Sequence, residues 1–207
     1  MTVSASEVNQ LKQAPAQERI LPVFLHRWSP RSFADRAVNP ADLKTIFEAV
    51  RWTASSYNEQ PWRYFVGMRG SETYQKILQS LGEFNQLWAR SAPVLTLNVA
   101  RTTFSHNETP NPVALYDLGA SAATLCYQAI SLGLFTHQMA GFDRDIARKL
   151  FKVPDDYIFG AAMALGYLGE PAALPNENFI AQEVAPRQRK PLSEFVLADW
   201  GTPANLS

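Results

Sequence analysis

Cysteine is nearly absent from this chain of 207 residues. Cys126 stands alone, so no internal disulfide can form and nothing indicates an oxidising compartment. A surplus of either charge is also missing: 19 basic and 19 acidic residues cancel, where a nucleic-acid binder would carry a basic excess. The three histidines, His26, His106 and His137, share no zinc-ligand spacing with each other or with the thiol, so no metal site is expected. No apolar run reaches membrane-spanning length. The N-terminus carries Glu7 and Lys12 and has no apolar signal-peptide core. G-x-G-x-x-G, P-loop and G-x-S-x-G patterns are absent, and no Ser/His/Asp arrangement is legible. The expectation is a soluble cytoplasmic protein with no membrane or nucleic-acid partner, whose chemistry, if it is an enzyme, comes from a cofactor.

What is present reads as one α+β domain. Residues 1–20 are polar with scattered apolar positions, a frayed helix or a tail lying on a partner. Asn39-Pro40 opens the first strong helix: Asn caps, Pro is tolerated at the first helical position, and Leu43, Ile46, Phe47 and Val50 share one face. Tyr64–Met68 reads as a strand, and Ser71 caps a second helix that buries Tyr74, Ile77, Leu78 and Leu81. Pro93–Val99 is a buried strand by its continuous apolar run. The polar stretch 101–112 is a surface loop or lid. A long helix follows from Val113 to Leu132, thinned by Gly119, Ala120, Ala122 and Ala123 for close approach of another helix and stopped by Gly133. Phe142-Asp143 opens a short helix that turns Ile146, Leu150 and Phe151 inward, and Ile158–Leu168 is another buried strand. Pro171–Pro191 reads as extended, with Leu192–Trp200 as an apolar tail. The absence of regular βαβ phasing points to a sandwich, and the tail, lacking a local core, is expected on a neighbouring subunit.

Four segments carry candidate chemistry. In Arg27-Trp28-Ser29-Pro30-Arg31, alternate positions hold two cations and a hydroxyl, a phosphate-sized set or a solvated basic segment. Arg187-Gln188-Arg189-Lys190 is a second basic cluster with the same two readings. Ser55-Ser56-Tyr57-Asn58-Glu59-Gln60-Pro61 packs directional donors and acceptors into a helix-to-strand junction, as needed to hold a planar heterocycle by its edge. In Met139-Ala140-Gly141, the glycine permits close backbone approach to a flat ligand, or simply turns the chain before the next helix. His137 reads more readily as a core or hinge histidine than as a base, and Cys126 as packing. Phe84, Trp88 and Phe104 belong either to a ligand face or to the core.

In this order the segments resemble the FMN-dependent nitroreductase family, over roughly residues 22 to 197. The carriers are Arg27-x-Ser29-x-Arg31-x-Phe33, Ser55-Ser56-x-Asn58-x-Gln60-Pro61-Trp62, Met139–Asp143, the strand Ala164-Leu165-Gly166-Tyr167, and Arg187-x-Arg189-x-Pro191-Leu192. The resemblance implies a nitroreductase-like α/β/α sandwich around a central, mostly antiparallel sheet. It implies a homodimer with FMN sites at the subunit interface and an exchanged C-terminal arm. On this basis residues 1–20 are a tail or helix, and 21–200 form a single FMN-binding domain that includes the arm at 171–200.

Carried over by position, the resemblance implies that Arg27, Ser29, Arg187 and Arg189 hold the FMN phosphate, with Trp28 beside them. Arg31 points along the ribityl chain or to the N1/O2 edge, and Asn58 bonds the pyrimidine edge. Ser56, Tyr57 and Gln60 shape the pocket, and the backbone of Met139, Ala140 and Gly141 approaches the ring near N5. The implied reaction is ping-pong: NAD(P)H gives hydride to the flavin, which reduces an electron-poor acceptor such as a nitroaromatic or quinone, with no dedicated catalytic side chain. Alternatives are other flavin chemistry on the same fold (dehalogenation, enoyl reduction, azoline oxidation) or FMN binding without turnover. Glu59 departs from the small residue common at its position and would discourage anionic acceptors.

Overall fold

The computed structural model describes residues 3–206. The first element, α1 (Ala5–Leu11), is short, and a capping box holds its start: Ser4 Oγ accepts from the Glu7 N–H while the Glu7 carboxylate accepts from the Ser4 N–H. It lies on its own chain, with Val8 buried in the core and the Ala5 N–H donating to Glu170. A single-turn α2 (Pro22–His26) leads into the arginine segment. Next, α3 (Pro40–Arg51) starts where the sequence places it, Asn39 Oδ1 accepting from the Ala41 N–H. β1 (Trp62–Met68) is followed by α4 (Glu72–Ser80), capped by Ser71, and then α5 (Glu83–Ala89). β2 (Val94–Arg101), α6 (Ala114–Ser131), β3 (Phe135–Met139), α7 (Arg144–Phe151) and β4 (Tyr157–Gly166) complete the body. After it come α8 (Glu177–Val184) and a small hairpin, β5 (Leu197–Asp199) with β6 (Thr202–Pro203).

The main sheet runs β1-β2-β4-β3, and every neighbouring pair is antiparallel. Its two faces feed two cores. Trp62, Val94, Ala100, Met163 and Leu165 meet Leu43, Ile46 and Val50 of α3 and Leu118, Ala122, Leu125 and Ala129 of α6. On the opposite face Leu95, Leu97, Phe135, Phe159 and Ala164 meet residues of α1, α4, α5, α7 and α8. The layering is α/β/α. Central β2 is buried almost throughout, its polar Thr96 and Asn98 included. Gly67 lets α4 lie directly on β1, since a Cβ there would stand 2.3 Å from the Tyr74 nitrogen.

Several segments differ from expectation. The stretch 171–191 is not extended: it contains a 3₁₀ turn at Pro171–Ala173 and α8, whose Asn176 cap accepts from the Phe179 N–H. Because α8 buries Phe179 and Glu183 in its own chain, residues 171–184 are seated at home, and an exchanged arm would begin after them. On α7 Phe151 packs on the core as expected and Ala147 is fully buried, whereas Ile146 is exposed. The sequence pattern predicts neither α5 nor β3.

Candidate functional site

Arg27 and Ser29 adjoin at 3.3 Å, the guanidinium donating to the hydroxyl. Arg27 shares a cleft of about 1010 Å³ with Arg187, Arg189 and Lys190. The two basic clusters, 160 residues apart in sequence, are therefore on one wall. The other walls are Phe24 and Tyr127, in edge contact at 4.8 Å, the C-terminal Leu192 and Phe195, and residues 14–18 of the N-terminal segment. Arg187 also ties that segment down, donating to the Lys12 and Leu25 carbonyls at 3.0 and 2.9 Å. The Trp28 indole turns away from the cleft: it is buried, its N–H donates to Asn9 Oδ1, and it packs on Phe135 and under Lys12. Only its backbone adjoins the candidate site.

Arg31 is set by its backbone. Its N–H, with that of Ser32, donates to the Glu183 carboxylate at 3.0–3.1 Å. Burial pushes the Glu183 carboxyl above its ordinary range and the Arg31 guanidinium below its own, while the attraction between them opposes both shifts. The Arg31 guanidinium lies over the Phe179 ring at 5.9 Å, and its Nε is buried with no protein partner. Next door, Nδ1 of His137 donates to the Pro30 carbonyl at 2.9 Å, and the ring rests on Trp88. Burial, helped by Arg31 and Arg27, holds His137 down to about 4, so it is neutral at pH 7. It is the hinge histidine of the sequence reading.

Phe179 continues the site towards Gly141. It packs on Phe84 at 4.8 Å, and Asn85, the next residue of α5, reaches the Gly141 carbonyl at 2.9 Å. Ala140 and Gly141 are exposed at the end of β3, while Met139 is buried and offers only backbone. Trp88 belongs to the core; Phe84 is exposed beside Phe179; Phe104 packs with Tyr57 and His106. Asn85, Glu183 and Phe179 escaped sequence reasoning. A carboxylate at a buried position of α8 was the available signal, and it masked the helix instead.

The Ser56–Gln60 segment is elsewhere. The Ser56 N–H donates to buried Asp117 in the first turns of α6, at 3.0 Å, whereas the cationic cleft touches Tyr127 near that helix's end. Ten residues of helix, about 15 Å, separate the two. Tyr57, Asn58 and Gln60 have φ of 52°, 56° and 49°, three non-glycine residues in the left-handed region. Such backbone costs about 1–2 kcal/mol per residue and persists where surroundings impose it. Here Asp117 and the bond from Gln60 N to Ser55 Oγ impose it. The cleft thus brings together Arg27, Arg187 and Arg189, with Ser29 bonded to Arg27; Arg31 and the 139–141 backbone are not among its lining residues, and Ser56, Tyr57, Asn58 and Gln60 stand towards the other end of α6.

Among the described residues no three His, Cys, Asp or Glu side chains cluster as metal ligands, and no helix is long and apolar enough to cross a membrane. Residues 25–86, which span the arginine segment and the strained turn, match the family model described as Nitroreductase family. An uncharacterised 15.4 kDa protein of Mycolicibacterium smegmatis is 33% identical over 150 residues, 68% of this chain and 99% of that protein. A candidate NADH dehydrogenase/NAD(P)H nitroreductase of Archaeoglobus fulgidus is 23% identical over 72% of this chain and 86% of its own length. Among solved structures, an oxidoreductase containing FMN superposes with a TM-score of 0.84 at 31% identity, covering 91% of this chain and 96% of that one. A nitroreductase family protein of Clostridium difficile 630 shares the fold, with a TM-score of 0.64 at 23% identity over 84% of this chain and 94% of its own. With its α/β/α architecture, its arginine segment and relatives matched over nearly their whole length, the chain belongs to the nitroreductase family.

Proposed function

We propose that the protein is an FMN-dependent oxidoreductase that takes hydride from NAD(P)H and reduces an electron-poor acceptor, such as a nitroaromatic or a quinone. The observation that carries this reading is the convergence of Arg27, Arg187 and Arg189 on one cleft beside Ser29. Guanidinium groups with a hydroxyl match a phosphate dianion. Two further features fit the same ligand: the buried, unpartnered Nε of Arg31, and the exposed backbone at Gly141. The relative of 31% identity is an oxidoreductase containing FMN, and the Archaeoglobus relative's name supplies NAD(P)H as donor.

When bound, FMN supplies the redox chemistry itself, two-electron hydride transfer at N5 in ping-pong order. The chain's residues bind and orient. Arg27, Ser29 and Arg189 hold the phosphate, and Arg187 both contributes charge and fixes the N-terminal wall. Arg31, aimed by Glu183, places a cation beside the ligand, where it would favour an anionic reduced ring. No side chain acts as acid or base in this reading.

A homodimer completes the site. Ser56, Tyr57, Asn58 and Gln60 stand about 15 Å along α6 from the cleft, so a second chain, antiparallel across α6, would bring its copies of them to the ring. Because residues 187–195 line the cleft of their own chain, an arm reaching the partner would begin after Phe195, within one domain spanning 21–200. Use of NAD(P)H suits a cytoplasmic location.

Removing a charge-assisted partner from a bound phosphate costs roughly 1.5–3 kcal/mol. Arg27→Ala and Arg189→Ala should therefore each weaken FMN binding about tenfold or more in a fluorescence titration. Unchanged affinity in both variants would remove the phosphate assignment.

A further inference from the structure

Gly141 is the apex of a three-residue turn: the Phe142 N–H closes onto the Ala140 carbonyl at 3.1 Å. The Gly141 carbonyl accepts twice, from the Gly82 N–H at 3.0 Å and from Asn85 Nδ2 at 2.9 Å. A carbonyl can only accept, so the Asn85 amide nitrogen, not its oxygen, must face it. With that oxygen held against α5, the peptide plane of Gly141 cannot swing. Among the described residues the Gly141 N–H donates to no protein acceptor, and the residue is exposed. The fit is tight: a Cβ on Gly141 would stand 2.8 Å from Asn85 Nδ2.

We propose that Asn85 is a positioning residue: it clamps the Gly141 carbonyl so that the exposed 140–141 backbone is presented, in one orientation, to the edge of the bound flavin ring. This rests on the FMN reading above and adds to it a side chain outside the phosphate and ring contacts. The clamp is a side chain of α5 rather than of the ligand-binding segments. Its effect is orientational: the Gly82 bond alone leaves the peptide one donor, while two donors from different directions fix it.

Two measurements test this. In flavin-free protein, Gly141→Ala should lower the melting temperature, because its methyl meets Asn85. That decrement should shrink in the Asn85→Ala background, where the clash is gone. Strictly additive decrements would overturn the clamp, whether or not the protein binds flavin. In FMN titrations, Asn85→Ala should weaken binding about five- to tenfold, as for one lost hydrogen bond. Asn85→Asp, of equal shape, should weaken it further, since a carboxylate oxygen repels the carbonyl, and should shift the bound flavin's absorption bands. A merely structural role would change the melting temperature and leave those bands in place. Wild-type affinity and bands in both Asn85 variants would overturn the proposal. Failure of the wild-type protein itself to bind FMN would instead overturn the flavin reading and the ligand half of the proposal, with the melting cycle still judging the clamp.

Discussion

His137 shows how a single side chain can be read twice. Its place on β3, bonded to Pro30 and packed on Trp88, makes it the pin between the sheet edge and the arginine segment. Burial lowers its pKa to about 4 from an ordinary 6.5. The unfolded chain therefore takes up a proton below pH 6.5 that the folded chain refuses until about pH 4. The stability that neutral His137 provides is complete above 6.5 and is lost as pH falls through that window. At about 1.4 kcal/mol per pKa unit, the loss attributable to this group approaches about 3 kcal/mol. His137→Asn keeps a donor where Nδ1 stands and does not titrate. Urea denaturation of the variant should show a shallower decline between pH 6.5 and 4 than the wild type, and parallel curves would assign the acid sensitivity to other groups. Glu183 works alongside it, a buried carboxylate accepting from Arg31 and Ser32 with the Lys12 and Arg31 cations near by.

Elements divide into those whose ends are written in the sequence and those whose packing alone reveals them. Asn39, Ser71 and Asp143 each accept from a backbone N–H of the helix they begin, and those starts were legible because a cap is a local interaction. The long α6 and the apolar β2 were legible by length and run. β3 has five residues with a histidine at its centre, and α5 has seven, too few for a period to declare itself. In α8 the buried Glu183 occupies a position where the pattern asks for an apolar residue, so the helix is hidden by the charge that serves the site. The same limit governs the site: residue types that suit a phosphate can be read off, but the turn of the Trp28 indole into the core cannot. Strained backbone is likewise invisible in sequence. Of the five non-glycine residues at positive φ among the described residues, three are in the 57–60 turn, whereas Lys152 merely ends α7. Glycine is the favoured residue at such a helix end. Lys152→Gly should raise stability by about 1 kcal/mol without changing FMN affinity, to be read by thermal denaturation and titration; a destabilised variant would contradict the strain argument.

At the scale of the whole molecule, the two halves of the proposed site stand at opposite ends of α6, and the outward face of that helix carries exposed Leu115 and Tyr116 beside Gly119. A Cβ added at Gly119 meets no atom within 4 Å in its own chain. Gly119→Arg should leave the fold of the chain intact, and a helix-interior glycine is not missed. If a second copy packs on this face, the arginine should halve the mass seen in sedimentation and weaken FMN binding together. A variant of wild-type mass and affinity would move the seam elsewhere.

The central claim is that this chain holds FMN and cycles it with NAD(P)H. The most direct measurement is the visible absorption spectrum of the purified protein, supplied with FMN and then titrated anaerobically with NADH or NADPH. The account predicts a yellow protein that releases FMN on denaturation and bleaches with the nicotinamide. A protein that stays colourless after FMN is added and the excess removed would contradict it.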